Sequence, residues 1–219
     1  MKENKYRHII WDWNGTLFDD AWLCLEIANT LLSERGLTNI TADQYEQAFG
    51  FPVIDYYHRI GFNFEVEPFE QISTAFISEY ERRRIECRLR PGAATTIDRL
   101  QRNNISQSII SASKQGFLEK AVHQFDIRDN FTSVSGLDNH HASGKFEIAL
   151  NWMKKTDIKS RDILLIGDTI HDYEVAQGIG AACILIYSGH QDKDRLSNCG
   201  VRIIKSISDL SEIFPHLEA

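Results

Sequence analysis

The chain has 219 residues, of which 42% are hydrophobic and 25% are charged, a composition typical of a folded globular protein. Its formal net charge of −7 argues against a nucleic-acid partner, and its four scattered cysteines predict reduced thiols rather than disulfides or a zinc site. No apolar run is long enough to span a bilayer, and the charged first residues lack a signal-peptide core, so we expect a cytoplasmic protein with no membrane partner.

The first predicted element is a short buried strand that ends at a carboxylate. Residues 9–11 are apolar, Asp12 follows them, and Asn14 with Gly15 forms a turn signal directly afterwards. Asp12 is therefore expected at the carboxyl end of a strand, which is the edge where open parallel sheets bind ligands. A carboxylate at that edge can serve as a nucleophile, as a metal ligand or as both, and it also suits a plain turn cap.

The segment from residue 20 to residue 87 has helical periodicity, and after Pro91 and Gly92 the pattern changes to strands that alternate with helices. This predicts an α/β protein: a doubly wound parallel sheet with right-handed crossovers and an inserted all-helical unit. We assign residues 1–19 and 88–219 to an α/β core domain and residues 20–87 to a helical cap domain. The later predicted strands cover residues 105–110, 131–134, 163–166, 183–186 and 201–204, and a last helix is predicted over residues 207–214.

Two polar residues lie at the ends of elements in the second part of the chain. Ser111 comes directly after the strand at 105–110, where a hydroxyl and the free N–H groups of a helix start form an anion site, and Ser113 is expected to cap that helix. Lys145 opens a later helix, where it would offset negative charge on nearby carboxylates and on a phosphoryl group. By itself, Lys145 equally suits a solvated surface position.

A pair of aspartates follows the strand at 163–166. Asp168 lies at the strand end, and Asp172 falls in the first turn of the next helix, facing the same edge. Two carboxylates placed this way repel each other unless a cation lies between them. Oxygen ligands of this kind suit Mg²⁺, although Asp172 alone also favours a helix N-terminus. Together with Asp12, the pair predicts a magnesium site.

These segments together resemble the haloacid dehalogenase-like (HAD) hydrolase superfamily. The matching residues are Asp-Trp-Asn-Gly-Thr at 12–16, Ser111, Lys145, and Gly-Asp-Thr-Ile-His-Asp at 167–172, in the order that the family uses. The helical insert and the Leu-Arg-Pro-Gly sequence at 89–92 resemble most the phosphoglycolate phosphatase-like branch. Each motif is short, but four of them in this order, across almost the whole chain, are specific.

The resemblance implies a Rossmann-like HAD core and an Mg²⁺-dependent phosphatase that acts on a small phosphorylated metabolite. Asp12 would attack the phosphorus atom to form an aspartyl-phosphate, which water would then hydrolyse. Mg²⁺ would be held by Asp12, the backbone carbonyl of Asn14 and Asp168, with Asp172 supporting it. The phosphate-binding residues that the resemblance implies are Ser111, Ala112 and Lys145.

One position departs from the family pattern. The residue two places after the nucleophile is usually a second aspartate, which protonates the leaving oxygen and later activates water, and here it is Asn14. An amide cannot transfer protons in this way, and general acid–base catalysis is worth ~10²–10⁴-fold, so a slow enzyme is predicted. Three explanations remain open: His171 or a cap residue supplies the proton, the leaving group needs no acid, or the protein binds a phosphorylated ligand and turns it over poorly.

Other activities of the same family fit this sequence less well. A dehalogenase would not need a metal, so the presence of Asp168 and Asp172 argues against carbon–halogen cleavage. A phosphonate hydrolase that forms an imine needs a cap lysine, and residues 20–87 contain no lysine. The alternative from another class is a weakly active or non-catalytic regulatory protein that binds a phosphorylated ligand.

Overall fold

The centre of the protein is a parallel sheet with helices on both faces, as the alternating pattern predicts. A computed structural model describes residues 5–137 and 144–214; the charged residues 1–4 and Ser143, which precedes Gly144, lie outside the described residues. The strands are β1 (His8–Trp11), β2 (Phe18–Asp19), β3 (Arg88–Leu89), β4 (Ser106–Lys114), β5 (Ser133–Leu137), β6 (Ile163–Gly167), β7 (Ala182–Ile186) and β8 (Arg202–Ile204). Six of them form the parallel sheet in the order β5-β4-β1-β6-β7-β8, while β2 and β3 form a short antiparallel pair.

The helices divide into a group of four between β2 and β3 and a group that covers the sheet. The first group is α1 (Ala21–Glu34), α2 (Ala42–Ala48), α3 (Val53–Arg59) and α4 (Phe69–Arg83), which we call the helical segment. The second group is α5 (Ala93–Arg102), α6 (Gln115–Gln124), α7 (Lys145–Met153), α8 (Ile170–Ile179) and α9 (Lys193–Ser197). Every helix among the described residues is too short or too polar to cross a bilayer.

The central position of β1 places its carboxyl end in the middle of the sheet edge. Trp11 pairs with Ile109 of β4 on one side and with Ile166 of β6 on the other. The backbone N–H of Asp12 then donates to the carbonyl of Ile166 at 2.9 Å. Because all three strands run in the same direction, the residues that follow them meet at one edge.

The alternation of side chains along β1 divides the buried core between the two faces of the sheet. Ile9 and Trp11 belong to a large apolar cluster that continues into the helical segment through Leu23 and Ile72. Ile10 points the other way and packs in a second cluster with residues such as Val175 of α8. Burial on both faces is the reason that the strand is continuously apolar rather than alternating.

Two local predictions were wrong, and one pair of strands was not predicted. The strand that was expected to end at residue 110 continues to Lys114, because Lys114 still pairs with Leu137 of β5 after a register shift. The helix expected over residues 207–214 is a 3₁₀-helix, Ile207–Glu212. The β2–β3 pair was not predicted, because its strands have two residues each and carry no periodic signal.

His8, in β1, gives the fold a pH dependence. It is buried, its Nδ1 lies 2.7 Å from the Ser106 hydroxyl, and its ring centroid lies 4.7 Å from that of Trp152. Burial lowers the pKa of His8 from 6.5 to about 4. The unfolded chain therefore binds a proton between these pH values that the folded chain does not, so stability is present above about pH 6.5 and is lost as the pH falls toward about 4.

Between about pH 6.5 and about pH 4, we expect the titration of His8 to lower the free energy of unfolding by up to about 3 kcal/mol. Urea unfolding at several pH values between 7.5 and 4 would measure the loss. His8→Gln should flatten the dependence, whereas His123→Gln, at an exposed position on α6, should not. An unchanged slope in His8→Gln would assign the pH dependence to other groups.

Candidate active site

Asp12 and Lys145 form a buried ion pair at the sheet edge. Lys145 is the first residue of α7 and is only 3% exposed, and its Nζ donates to Oδ1 of Asp12. Burial raises the pKa of the Asp12 carboxyl to about 8, although the Lys145 ammonium opposes the rise. Burial also acts to lower the pKa of Lys145, but the Asp12 and Asp172 carboxylates outweigh it and raise that pKa above the usual range.

Asp168 follows β6 and is held by donors from two other loops. Its Oδ1 accepts the hydroxyl of Thr16 at 3.0 Å, and its Oδ2 accepts the backbone N–H of His190 at 2.6 Å. A Cβ atom on Gly15, whose φ is +70°, would lie 2.3 Å from Oδ2, and one on Gly189 would lie 2.2 Å from it. Both glycines are therefore required for the backbone to approach the carboxylate this closely.

Asp172 has two roles, because its two oxygens face different partners. Oδ1 accepts Lys145 Nζ at 2.5 Å. Oδ2 accepts the backbone N–H of Thr169 at 3.0 Å, which completes a capping box at the start of α8. Burial alone would raise the pKa of Asp172, but the Lys145 ammonium and these hydrogen bonds lower it below its usual value.

The three aspartates are close enough to share one cation. Carboxylate oxygens of Asp12, Asp168 and Asp172 all lie within 4.8 Å of one another, and all three residues are buried. Lys145 offsets one of the three negative charges, and burial raises the pKa of Asp168 to about 6 despite the opposing charge of His190. An all-oxygen donor set with this excess of negative charge fits Mg²⁺.

The segment Ser111–Ala112–Ser113 lies at the same edge, within the irregular end of β4. Ser111 is buried, and its hydroxyl accepts the backbone N–H of Ser113 at 3.0 Å. Ser113 does not cap the following helix as predicted, because the strand continues past it and α6 begins only at Gln115. Its hydroxyl instead donates to Oδ1 of Asn14.

The amide of Asn14 is fixed by a network of polar groups, of which Asp20 is buried. Its Nδ2 donates to Oδ2 of Asp20 at 2.6 Å and to the hydroxyl oxygen of Tyr80 at 2.8 Å, while its Oδ1 accepts from Ser113. The Tyr80 hydroxyl donates to the same Asp20 oxygen at 2.5 Å, and the backbone N–H of Gly15 donates to the other at 2.9 Å. Asn14 is therefore a neutral side chain whose amide nitrogen and amide oxygen both have hydrogen-bond partners.

A buried imidazole completes this network. Nε2 of His190 lies 3.4 Å from Oδ1 of Asp20, and Nδ1 lies 2.7 Å from the hydroxyl of Tyr45. Burial tends to lower the pKa of His190, but the Asp20 carboxylate reverses this and raises it to about 9. Tyr45 belongs to α2 and Tyr80 to α4, so the network joins the helical segment to the sheet edge.

A family model described as haloacid dehalogenase-like hydrolase matches residues 9–186. The chain belongs to this family. It is 22% identical to the phosphoglycolate phosphatase of Synechococcus elongatus, over 95% of this chain and 97% of the relative. It is 24% identical to that of Vibrio parahaemolyticus, but the match spans only 57% of this chain and 56% of the relative. The resemblance to the phosphoglycolate phosphatase-like branch is confirmed.

A solved structure agrees with the fold of this HAD protein. The haloacid dehalogenase-like hydrolase from Streptococcus pneumoniae superposes with a TM-score of 0.79 at 20% identity, covering 96% of this chain and 99% of that one. At this identity the likeness concerns the fold. The doubly wound core that the sequence predicts is therefore confirmed.

Several residues at the site of this HAD protein were not predicted from the sequence. Asp20, Tyr80 and His190 belong to no recognised motif, although His190 lies four residues after the end of β7, at the carboxyl edge, and could have been found from that position. His171, considered above as a substitute acid, instead has its Nδ1 3.3 Å from Glu174, and its ring packs against Phe51.

Proposed function

We propose that the protein is an Mg²⁺-dependent phosphatase that hydrolyses a small phosphomonoester through an aspartyl-phosphate on Asp12. The observation that supports this most is the buried cluster of Asp12, Asp168 and Asp172 with Lys145. We further propose that the helical segment acts as a cap domain over residues 20–87, and that the core domain consists of residues 1–19 and 88–219. The curated relatives suggest a phosphoglycolate-like substrate, that is, a phosphate ester that carries a carboxylate.

In the proposed reaction, a carboxylate oxygen of Asp12 forms a bond to phosphorus as the ester P–O bond breaks, and the leaving oxygen takes the electron pair. Lys145 holds a phosphate oxygen and offsets its charge, while Ser111 and the backbone of Ala112 bind the others. A water molecule then attacks phosphorus, which restores the Asp12 carboxylate and releases phosphate. Mg²⁺ would be held by Asp12, Asp168 and the Asn14 carbonyl, and Asp172 would support it. The metal would offset charge on the transferring group.

A steady-state assay tests this proposal. The purified chain should hydrolyse 4-nitrophenyl phosphate when Mg²⁺ is supplied, and chelation with EDTA should lower the rate by about 100-fold or more, because the three aspartates then repel both one another and the phosphate. Adding Mg²⁺ back should restore the rate. Equal rates with and without the metal would contradict the proposed metal site.

The second candidate is a weakly active or regulatory protein that binds a phosphorylated ligand. The observation that favours it is Asn14, whose amide cannot supply the proton that family phosphatases take from an aspartate. Negligible turnover of every ester, together with Mg²⁺-dependent binding of inorganic phosphate, would support this candidate over the phosphatase.

Asn14→Asp should raise kcat/KM for an alkyl phosphate by about 10-fold or more, since general acid catalysis is typically worth ~10²–10⁴-fold. The new carboxyl would lie against Asp20, which accepts a hydrogen bond from Asn14 at 2.6 Å. The negative charge of Asp20 would raise the pKa of the new acid and keep it protonated. Rates with methyl or benzyl phosphate would measure the gain. Absence of any gain would mean that another residue already supplies the proton.

A further inference from the structure

A cavity of about 220 Å³ lies between the helical segment and the sheet edge. Trp13, which follows Asp12 directly, contributes to its lining, and so do Ala112 and Ser113, which follow Ser111. The opposite wall is formed by α4, including Ile77 and Tyr80. The lining therefore includes the residues that directly follow Asp12 and Ser111 in the chain, and we take this cavity as the space for the organic part of a phosphate ester.

The body of this cavity is aromatic and aliphatic. The rings of Trp13 and Phe18 are stacked, with centroids 5.3 Å apart and planes 16° from parallel. Phe117 and Leu118 of α6 and Ile77 of α4 also line the cavity. Flat apolar walls of this kind favour a ring over the two-carbon acid of phosphoglycolate, since burial of apolar surface is worth roughly 25 cal/mol per Å².

One end of the cavity carries two cations around Phe117. The guanidinium carbon of Arg84 lies 4.5 Å from the centroid of the Phe117 ring, and Nζ of Lys114 lies 5.2 Å from the same centroid. Both cations line the cavity, and the acidic side chain in the same lining is Glu81. Two cations that are held at one end of an apolar cavity favour an anionic group there, and the planar guanidinium suits a carboxylate.

The hydrogen bonds of Asn14 restrict the leaving group. Its amide is bonded to Asp20, Tyr80 and Ser113, and the Tyr80 hydroxyl donates to Asp20, so neither group is placed to hand a proton to a leaving oxygen. A leaving oxygen that receives no proton from either group departs as an anion. A phenol ionises near pH 10, far below an aliphatic alcohol, so a phenolate leaves without an acid and an alkoxide does not.

On the basis of the proposed phosphatase function, we propose that the substrate class is an aryl phosphate whose ring lies in this cavity and carries a carboxylate that pairs with Arg84 and Lys114. The phosphate ester bond breaks with its electron pair on the phenolate oxygen as the bond between Asp12 and phosphorus forms. The phenolate leaves and is protonated by water, and water then releases phosphate from Asp12.

Four esters test the assignment with the purified chain and Mg²⁺: 4-carboxyphenyl phosphate, phenyl phosphate, benzyl phosphate and 2-phosphoglycolate. We expect kcat/KM for phenyl phosphate to exceed that for benzyl phosphate by about 100-fold, the scale of the missing acid catalysis. We also expect the carboxyphenyl ester to exceed the phenyl ester by about 10-fold. Faster turnover of benzyl phosphate or 2-phosphoglycolate than of both aryl esters would overturn the proposal.

Variants locate the carboxylate site. Arg84→Gln should lower the ratio of kcat/KM for the carboxyphenyl ester over the phenyl ester by about fivefold or more, and Lys114→Gln should act in the same direction. Arg82→Gln is the matched control, because Arg82 is an exposed cation two residues away that pairs with Glu79. An unchanged ratio in both cavity variants would overturn the proposed contact.

The two levels of proposal fail differently. If no ester is hydrolysed, or if hydrolysis persists in Asp12→Asn, the phosphatase function fails and the substrate class fails with it. If Asp12-dependent hydrolysis is present but prefers alkyl esters, the phosphatase function stands and the assignment of the cavity is wrong.

Discussion

Asp12→Asn should lower kcat for 4-nitrophenyl phosphate by about 10⁴-fold or more, the scale on which loss of a covalent nucleophile acts. An amide oxygen is a poor nucleophile and cannot carry the phosphoryl group as an acyl-phosphate. The variant should nevertheless fold. Burial raises the pKa of Asp12 to about 8, so the ionised carboxylate is costly in the folded protein and its removal should leave the urea midpoint unchanged or higher.

The matched control is Asp98→Asn, which removes a half-exposed carboxylate that pairs with Arg102 on α5. This control should retain the rate of the parent chain. Turnover in Asp12→Asn within 10-fold of the parent would show that the reaction, if any, does not pass through this residue.

Lys145→Met should lower kcat/KM by about 10²–10³-fold and should also destabilise the protein in the absence of metal. The ammonium is shared between the carboxylates of Asp12 and Asp172, which remain buried when it is removed. Breaking one side of a buried ion pair typically costs about 3–5 kcal/mol, and protonation of Asp12 should keep the loss near the lower figure. Urea unfolding in EDTA measures the stability, and the phosphatase assay measures the catalytic loss.

Addition of Mg²⁺ should restore part of the stability of Lys145→Met, because a cation that binds the folded state offsets the same carboxylates. Lys154→Met provides the control, since Lys154 is an exposed residue at the end of the same helix. A loss of activity without any loss of stability in EDTA would mean that the buried pair contributes little to folding.

The core of the fold could be predicted because its signals are local. Strands β1, β6 and β7 are short, largely apolar runs, and Asp12 and Asp168 each follow such a run directly before a turn or helix start. Parallel strands place these ends at one edge, so strand direction and chain order bring the residues together without further information. The irregular end of β4 escaped prediction because its pairing with Leu137 depends on a neighbouring strand.

The sequence alone determines the family motifs and the expected positions of Asp12, Lys145, Asp168 and Asp172. Each of these residues lies within a few positions of the strand or helix that positions it. The tertiary structure alone decided the surroundings of Asn14. Tyr80 reaches it from 66 positions away in the chain, and Tyr45 reaches His190 from 145 positions away. Such contacts have no periodicity along the chain, so only the packing of the helical segment against the sheet edge creates the polar network and the cavity that Tyr80 also lines.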